Sequence, residues 1–337
     1  MSKKLVLFSL FLMLPLMLSS CSEKITDKPR IGFSMATLTE ERWIRDRDCM
    51  MKYAEENGCS ITVQNANESS EKQFEDVKTM ISEGIDILVL VPQDKDASAI
   101  VNYAKRKKVR VVSYDRLALN SNIDAYVSFD NEKVGELQAE EITKIDPSGR
   151  YLVVSGPMTD NNSQLVREGV EKVLKEKNIS YQSTQVSSWD NVESFDIVNS
   201  ILSDPAGNDI CGIICANDSL AYGASNAAFL NQKKNMLIAG QDADLEACRR
   251  IVNGKQTVTI YKPIDKLAHT AIDICKKLCS GEEIESQNLS FENNGYKDIP
   301  AVLVDVYAVN KDNIKEVLID DNYYSYQNIY GSESNNN

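Results

Sequence analysis

Short polar motifs follow most of the apolar, strand-like runs in this chain. They are Glu41-Arg42-Trp43, Asp115-Arg116, Asp130-Asn131, Asp160-Asn161-Asn162, Asn217-Asp218, Gln241-Asp242 and Lys262. In open parallel α/β sheets, ligands bind at the carboxyl ends of the strands. Because the side chains are mainly Asp, Asn, Arg, Lys and Trp, the motifs predict one shared binding site for a neutral, hydroxyl-rich ligand.

Carbohydrate is the ligand class that these residue types suit. A sugar hydroxyl both donates and accepts hydrogen bonds, so acceptor-only carboxylates, donor-only Arg or Lys, and Asn all match it. Hydrogen bonds to charged groups contribute ~1.5–3 kcal/mol each, about twice a neutral one. The flat C–H faces of a pyranose need aromatic partners, and Trp43 and Trp189 lie one in each half of the chain. Their polar neighbours favour the ligand face over the alternative that both are core residues.

Candidate catalytic residues are few. The single histidine, His269, lies in an apolar helical pattern that is typical of a structural histidine. No G-x-S-x-G, H-E-x-x-H, Walker or G-x-G-x-x-G sequence occurs. Asp242 and Asp244 could form a carboxylate pair or ligate a metal, but the EF-hand spacing is absent. The sequence therefore favours a binding protein with no cofactor and no metal over an enzyme.

Alternating strand and helix patterns position the motifs. Apolar strand-like runs alternate with helical ones from residue 30, and the series restarts near residue 131. This predicts an α/β fold with doubly wound parallel sheets, and 337 residues are enough for two lobes of ~150 residues each. We predict an N-terminal lobe of 30–131 and 264–297, a C-terminal lobe of 132–263 and 298–322, and a polar tail of 323–337. Crossings near 131, 262 and 297 would join the lobes.

The beginning of the chain has the pattern of an export signal. Lys3 and Lys4 precede an apolar run, and Leu18-Ser-Ser-Cys21 closes it. This ending resembles the lipobox of bacterial lipoproteins, which predicts a signal over 1–20, lipidation of Cys21 and a tether over 21–29. Such an anchor holds a protein at a membrane without spanning it. The alternative is an ordinary secretory signal with an incidental cysteine.

Charge and cysteine content limit the partners. The net charge of −13 argues against binding to nucleic acid. Seven cysteines remain beyond Cys21, an odd number that cannot all pair. Cys275 and Cys279 could ligate a metal from one helix, but no histidine or further cysteine joins them. Buried free cysteines that act as small hydrophobic residues are the favoured interpretation.

Several longer stretches resemble periplasmic D-xylose-binding proteins, over about residues 30–320. They are EERWIRDRD (40–48), SYDRLALNSNIDAYVSFDNEKVGELQAE (113–140), DNN…R (160–167), CANDS (215–219), AGQDADL (239–245) and TVTIYKPI (257–264). Those proteins are sugar-binding components of ABC importers, in a family that includes ribose- and galactose-binding proteins and the ligand domains of LacI-type repressors. The resemblance implies a type I periplasmic binding protein, with two lobes joined by three crossover segments and closing over one sugar.

The resemblance also assigns residues and partners. It implies stacking by Trp43 and Trp189, and Lys262 is similar to the xylose-type residue where ribose binders tend to carry an amide. The polar contacts that it implies are Arg42, Asp115, Arg116, Asp160, Asn162, Arg167, Asn217, Asp242 and Lys262. We therefore expect a monomer that captures a monosaccharide, D-xylose above all, and delivers it to the permease of an ABC importer. A sensor that presents its closed form to a membrane receptor, or a binder of ribose, glucose or galactose, is the alternative.

Overall fold

The computed structural model describes residues 28–331, and two sheets organise them. The first sheet has seven strands, parallel to their neighbours except for one antiparallel edge strand. In spatial order they are Leu289–Asn293 (β11, the antiparallel edge), Asp298–Val304 (β12), Ala125–Phe129 (β5), Arg110–Tyr114 (β4), Ile87–Leu90 (β3), Arg30–Met35 (β1) and Ser60–Asn65 (β2).

The second sheet has six strands and again one antiparallel edge strand. In spatial order they are Tyr307–Asn310 (β13, the antiparallel edge), Val258–Tyr261 (β10), Leu237–Gln241 (β9), Ile210–Cys215 (β8), Arg150–Ser155 (β6) and Tyr181–Gln185 (β7). Two mostly parallel sheets with flanking helices confirm the predicted fold class.

Helices cover the sheets. Those of the first lobe are Glu41–Glu56 (α1), Ser70–Glu83 (α2), Ser98–Arg106 (α3) and Ile264–Ser280 (α9). Those of the second lobe are Asn131–Ile145 (α4), Asn161–Glu176 (α5), Asn191–Ser203 (α6), Asp218–Leu230 (α7), Leu245–Val252 (α8) and Tyr326–Tyr330 (α10). Several of the polar strand-end residues also begin helices, because Asp130, Asp160 and Asn217 accept backbone N–H groups as N-caps.

The core of each lobe lies between its sheet and its helices. All four residues of β3 are fully buried, as a central strand covered on both faces requires. The edge strands β2 and β7 are only partly buried, and their apolar residues are correspondingly sparse. Burying each large aliphatic side chain stabilises the fold by ~1.5–3 kcal/mol. The central, fully buried strands therefore hold the sheets whose ends carry the site.

The chain crosses between the sheets at three points, and one predicted boundary is wrong. Two crossings lie between β5 and α4 and between β10 and α9. Residues 298–304, which we assigned to the C-terminal lobe, form β12 and pair with β5 of the first sheet. Buried Ile299 and Ala301 anchor this strand in the first core. The third crossing therefore follows Val304 instead of residue 297.

The predicted polar tail is also wrong for its described part. Tyr324 and Ile329 are buried in a second-lobe cluster that includes Cys248, and α10 packs on α8. The Tyr324 hydroxyl donates to Glu41 Oε1 of the first lobe at 2.9 Å. The predicted signal of 1–20, the lipidation site Cys21 and most of the tether lie outside the described residues.

Other sequence predictions concern single residues. Cys59, Cys215, Cys248 and Cys275 are buried and free. His269 is half-buried and stacks on Tyr53 of α1, with ring centroids 3.8 Å apart. Within residues 28–331, no helix combines the length and the apolar character that crossing a membrane requires.

Candidate ligand-binding site

Polar side chains from both lobes surround a cavity of about 40 Å³ at the carboxyl ends of the strands. Ten of the eleven side chains predicted for the site line it. They are Arg42, Trp43, Asp115, Arg116, Asp160, Asn162, Trp189, Asn217, Asp242 and Lys262. A larger concavity of about 790 Å³ shares Glu40 and Trp189 with the cavity and forms its mouth. Both belong to the cleft between the lobes.

The first lobe contributes residues from two strand ends. Arg42 and Trp43 lie in the first turn of α1, and both are buried. Asp115 follows β4 directly with a left-handed backbone at φ 60°. The Tyr126 and Ser128 hydroxyls donate to the Asp115 carbonyl at 2.9 and 2.6 Å, and these hydrogen bonds hold the turn. The strained turn directs the Asp115 carboxylate into the cleft.

The second lobe supplies its side chains from helix starts and strand ends. Asp160 and Asn217 cap α5 and α7 while also lining the cavity. Asp242 follows β9 with φ 95°, and its N–H donates to the Ile260 carbonyl at 2.9 Å. Lys262 directly follows β10, at the second crossing between the lobes. These side chains therefore come together because each lies at or shortly after the carboxyl end of a strand.

Ion pairs connect the charged side chains. Lys262 Nζ lies 2.7 Å from Asp242 Oδ1, within the second lobe's side of the site. Arg116 Nε lies 2.8 Å from Asp160 Oδ2, and this pair joins the two lobes. Asn162 Nδ2 also reaches across, donating to Asp115 Oδ1 at 3.0 Å. The lobes therefore contact each other directly through groups that line the cavity.

Acidic and basic side chains both line the cavity, which suits an uncharged ligand. Burial raises the pKa of Asp115, but the charges of Arg42, Lys262 and Arg116 outweigh it and the pKa is lowered. Asp115 is therefore an anionic acceptor at neutral pH. Burial raises the pKa of Glu40, and a backbone hydrogen bond and the charge of Arg116 offset that increase only in part.

Six buried polar atoms of the site lack a hydrogen-bond partner among the described residues. They are Glu40 Oε2, Asp115 Oδ2, Arg116 Nε, Asn162 Oδ1, Gln241 Oε1 and Asp242 Oδ1. Three of them lie close to an oppositely charged atom, but without the alignment of a hydrogen bond. Leaving a buried polar group unsatisfied costs ~1–3 kcal/mol. Hydroxyl groups, which both donate and accept, match this set.

The two indoles border the cavity in different ways. Trp43 packs under the guanidinium of Arg42, with Cζ 4.2 Å from the ring centroid. Trp189 is half-buried and lies against Gly156. A Cβ at position 156 would be 2.3 Å from Trp189 Cη2, so only glycine permits this position of the ring. Both tryptophans border the cavity, and Trp43 also contributes to the first core.

The structure does not bring Arg167 to the site. Its Nε lies 3.9 Å from Glu171 Oε1 on α5, and the side chain borders a separate cavity of about 10 Å³. Conversely, Glu40 and Gln241 line the site, although we did not predict them as contacts. Gln241 ends β9 next to Asp242, so the strand-end pattern contained a signal for it. Glu40 precedes α1 and carries no comparable signal.

The two aspartates of the QDAD sequence have different environments. Asp242 lines the cavity, whereas Asp244 lines the mouth and its N–H donates to Asp218 Oδ2 at 3.0 Å. Among the described residues, no group of three or more His, Cys, Asp and Glu side chains is arranged to hold a metal ion. The geometry supports hydrogen bonding to a polar ligand.

Comparisons with known proteins agree with this geometry. Residues 31–283 match the family described as "Periplasmic binding protein domain". The chain is 40% identical over 310 residues to the D-xylose-binding periplasmic protein of Haemophilus influenzae, covering 89% of this chain and 92% of that protein. It is 39% identical over 302 residues to the protein of the same name from Escherichia coli, with 88% and 91% covered. An ABC transporter solute-binding protein from Clostridium phytofermentans, solved with bound β-D-glucose, superposes with a TM-score of 0.82 at 25% identity, covering 89% and 99%. The resemblance found in the sequence is confirmed, and this chain belongs to the periplasmic binding protein family.

Proposed function

We propose that this protein captures D-xylose in the cleft between its lobes and delivers it to an ABC importer. The observation that carries the proposal is the set of buried, unsatisfied donors and acceptors that face one cavity from both lobes. The names of the two relatives near 40% identity, D-xylose-binding periplasmic proteins, select the sugar. The names of the same relatives describe binding proteins, which supports binding without catalysis.

The proposed mechanism is interlobe closure. Asp115 and Arg116 bind the sugar hydroxyls from the first lobe, Asp242 and Asn217 bind them from the second, and the indoles cover the C–H faces of the ring. A ligand that contacts both lobes stabilises the closed form over the open one. Lys262, at the second crossing, pairs with Asp242 and presents its remaining donors to the sugar.

The cellular role that we propose includes export and a lipid anchor. Cleavage before Cys21 and acylation of its thiol would tether a monomer to the cell envelope, within reach of the membrane permease. A Cys21→Ala variant expressed in the native host tests this step. It is expected to move from the membrane fraction to the soluble fraction and to lose labelling with radioactive palmitate. Retention of the label in the variant would contradict the anchor.

A sensing role is the second candidate. A relative from Rhizobium radiobacter, 28% identical over 330 residues, is named a multiple sugar-binding periplasmic receptor. The same closed cleft would then be presented to a signalling receptor in the membrane. Loss of xylose uptake on deletion of this protein supports transport, whereas loss of a transcriptional response with uptake intact supports sensing.

A calorimetric screen tests the ligand. Purified protein is titrated with D-xylose, ribose, glucose and galactose, and tryptophan fluorescence is followed in parallel. We expect saturable binding of one D-xylose per chain, with a fluorescence change because both tryptophans border the cavity. Binding heat with another aldose but none with D-xylose would mean that the other aldose is the ligand. No binding heat with any aldose would overturn the proposed function.

A further inference from the structure

One carboxylate of the first lobe lies behind the candidate site. Asp46 is one turn after Arg42 on α1, is fully buried and does not line the cavity. Its Oδ2 accepts from Arg42 Nε at 3.2 Å and from Arg42 Nη2 at 3.1 Å. Its Oδ1 accepts from the hydroxyl of Tyr114, at the end of β4. Both oxygens are thus engaged by protein groups, and Asp46 can reach a ligand only through Arg42.

The Arg42 guanidinium has a defined orientation between these groups. Its Cζ lies 4.2 Å from the Trp43 ring centroid and 5.8 Å from that of Phe129. Its Nη2 lies 2.8 Å from Asp115 Oδ2, and its Nη1 lies 3.7 Å from Asp242 Oδ1. Nη1 is therefore the guanidinium nitrogen that faces the cavity.

Two other buried carboxylates compete for Arg42. Asp115 and Asp242 both line the cavity, and a guanidinium pairs readily with either in a bidentate manner. If Arg42 turned to pair fully with one of them, it would occupy the donors and acceptors meant for a ligand. Hydrogen bonds from Nε and Nη2 to Asp46 fix the plane of the guanidinium group and prevent this rotation.

Stability alone is a weak reason for a carboxylate at this position. Taking a carboxylate out of water costs more than a buried ion pair reliably returns, and apolar replacements are often as stable. Burial raises the pKa of Asp46 to about 6, and the charge of Arg42 offsets that increase only in part. The arrangement of Asp46 on one face of Arg42, with the cavity on the other, gives the carboxylate a role in the site.

We propose that Asp46 is a positioning residue for ligand binding. Together with Tyr114 it holds the Arg42 guanidinium so that Nη1 presents its donors to a sugar hydroxyl. This inference rests on the proposed function, because the ligand that it serves is the sugar in the cleft.

An Asp46→Asn variant, titrated with D-xylose, tests the proposal. We expect about tenfold weaker binding, equivalent to ~1.4 kcal/mol. Asp48→Asn is the matched control, since Asp48 is on the same helix but 59% exposed and paired with Arg47. The affinity of this control variant is expected to be unchanged. In an Arg42→Met background, Asp46→Asn is expected to weaken binding no further. Wild-type affinity in Asp46→Asn, or an equal loss in the Arg42→Met background, would overturn the proposal. If wild-type protein binds no sugar, the proposed function fails instead.

A pH profile separates positioning from a structural role. The groups that face Asp46 are Arg42 and Cys49 on α1, and Tyr114 and Asp115 at the end of β4. Lowering the pH from 7 to 5 protonates Asp46 and weakens its hold on Arg42, so the wild-type Kd is expected to rise more than that of Asp46→Asn. Superimposable profiles would contradict the proposal.

Tyr114→Phe gives an independent test if Asp46→Asn does not fold. It removes the hydroxyl that donates to Asp46 and keeps the ring, which packs edge-on against Phe33. We expect about threefold weaker binding of D-xylose from this change. An unchanged Kd in a folded Tyr114→Phe protein would contradict the proposed positioning of Arg42 by Asp46 and Tyr114.

Discussion

Replacing Asp242 with asparagine is expected to weaken D-xylose binding by about 30- to 150-fold. Asp242 is only 7% exposed, and its Oδ1 lies 2.7 Å from Lys262 Nζ and 3.7 Å from Arg42 Nη1. The same oxygen has no hydrogen-bond partner among the described residues. Asparagine keeps the shape of the side chain and removes its charge, so the change tests the carboxylate itself.

The magnitude follows from the type of hydrogen bond. A hydrogen bond to a charged group contributes ~1.5–3 kcal/mol, and a neutral one ~0.5–1.5 kcal/mol. A carboxylate at Asp242 that accepts from two sugar hydroxyls therefore contributes about 2–3 kcal/mol more than an amide there. Since each ~1.4 kcal/mol is a factor of ten in Kd, the expected range results.

Calorimetry measures the Kd, and thermal unfolding checks it. At a sugar concentration of 100 Kd, the wild-type protein gains about 2.7 kcal/mol of stability, and a variant that binds 100-fold more weakly gains about 0.4 kcal/mol at that concentration. Asp209→Asn is the control, because Asp209 is in the same lobe, 65% exposed and paired with Arg150. An Asp242→Asn affinity within about threefold of wild type would refute the role of Asp242 as a ligand acceptor.

Three further predictions test the positions of side chains. Arg167→Ala is expected to leave the sugar Kd unchanged in calorimetry, because Arg167 faces Glu171 instead of the cavity. Gly156→Ala is expected to weaken binding and shift tryptophan emission, since the new methyl group displaces Trp189. Burial raises the pKa of Asp218 above its usual range, so as the pH rises past the ordinary aspartate pKa of about 4 the folded state retains a proton that the unfolded state has released. Stability from this group is thus lost as the pH rises, and Asp218→Asn is expected to flatten that slope in urea unfolding.

The sequence predicted which side chains line one cavity where a single topological rule governs their positions. Side chains that directly follow parallel strands share one edge of a sheet, so Asp115, Asn217 and Lys262 could be placed together without a structure. The Val- and Ile-rich strands are buried on both faces, which makes their pattern strong and their ends easy to locate. The alternation of strands and helices that we predicted from residue 30 is therefore present in the structure.

The strand-end pattern failed for residues whose position depends on the rotation of a helix or on a contact with a part of the chain far away in sequence. Arg167 is five residues after Asn162 on α5, which turns a side chain by about 140° and raises it by about 7.5 Å. It therefore leaves the face that Asn162 presents to the cleft. The strand Asp298–Val304 is apolar enough for either sheet, and only its long-range pairing with β5 decides its lobe. Burial of Tyr324 similarly depends on contacts with α8 and Glu41.

Direct contacts between the lobes determine how much a bound sugar can stabilise the closed form of the cleft. Arg116 with Asp160 and Asn162 with Asp115 join the lobes, and only about 40 Å³ lies between their side chains. Small-molecule sites typically measure ~300–1,000 Å³, so a sugar enters only if these contacts lengthen and its hydroxyls replace the protein partners. The ligand then stabilises the closed form by the difference between its own contacts and those that it displaces. Affinity in this site therefore depends on the strength of the interlobe contacts as well as on the groups that touch the sugar.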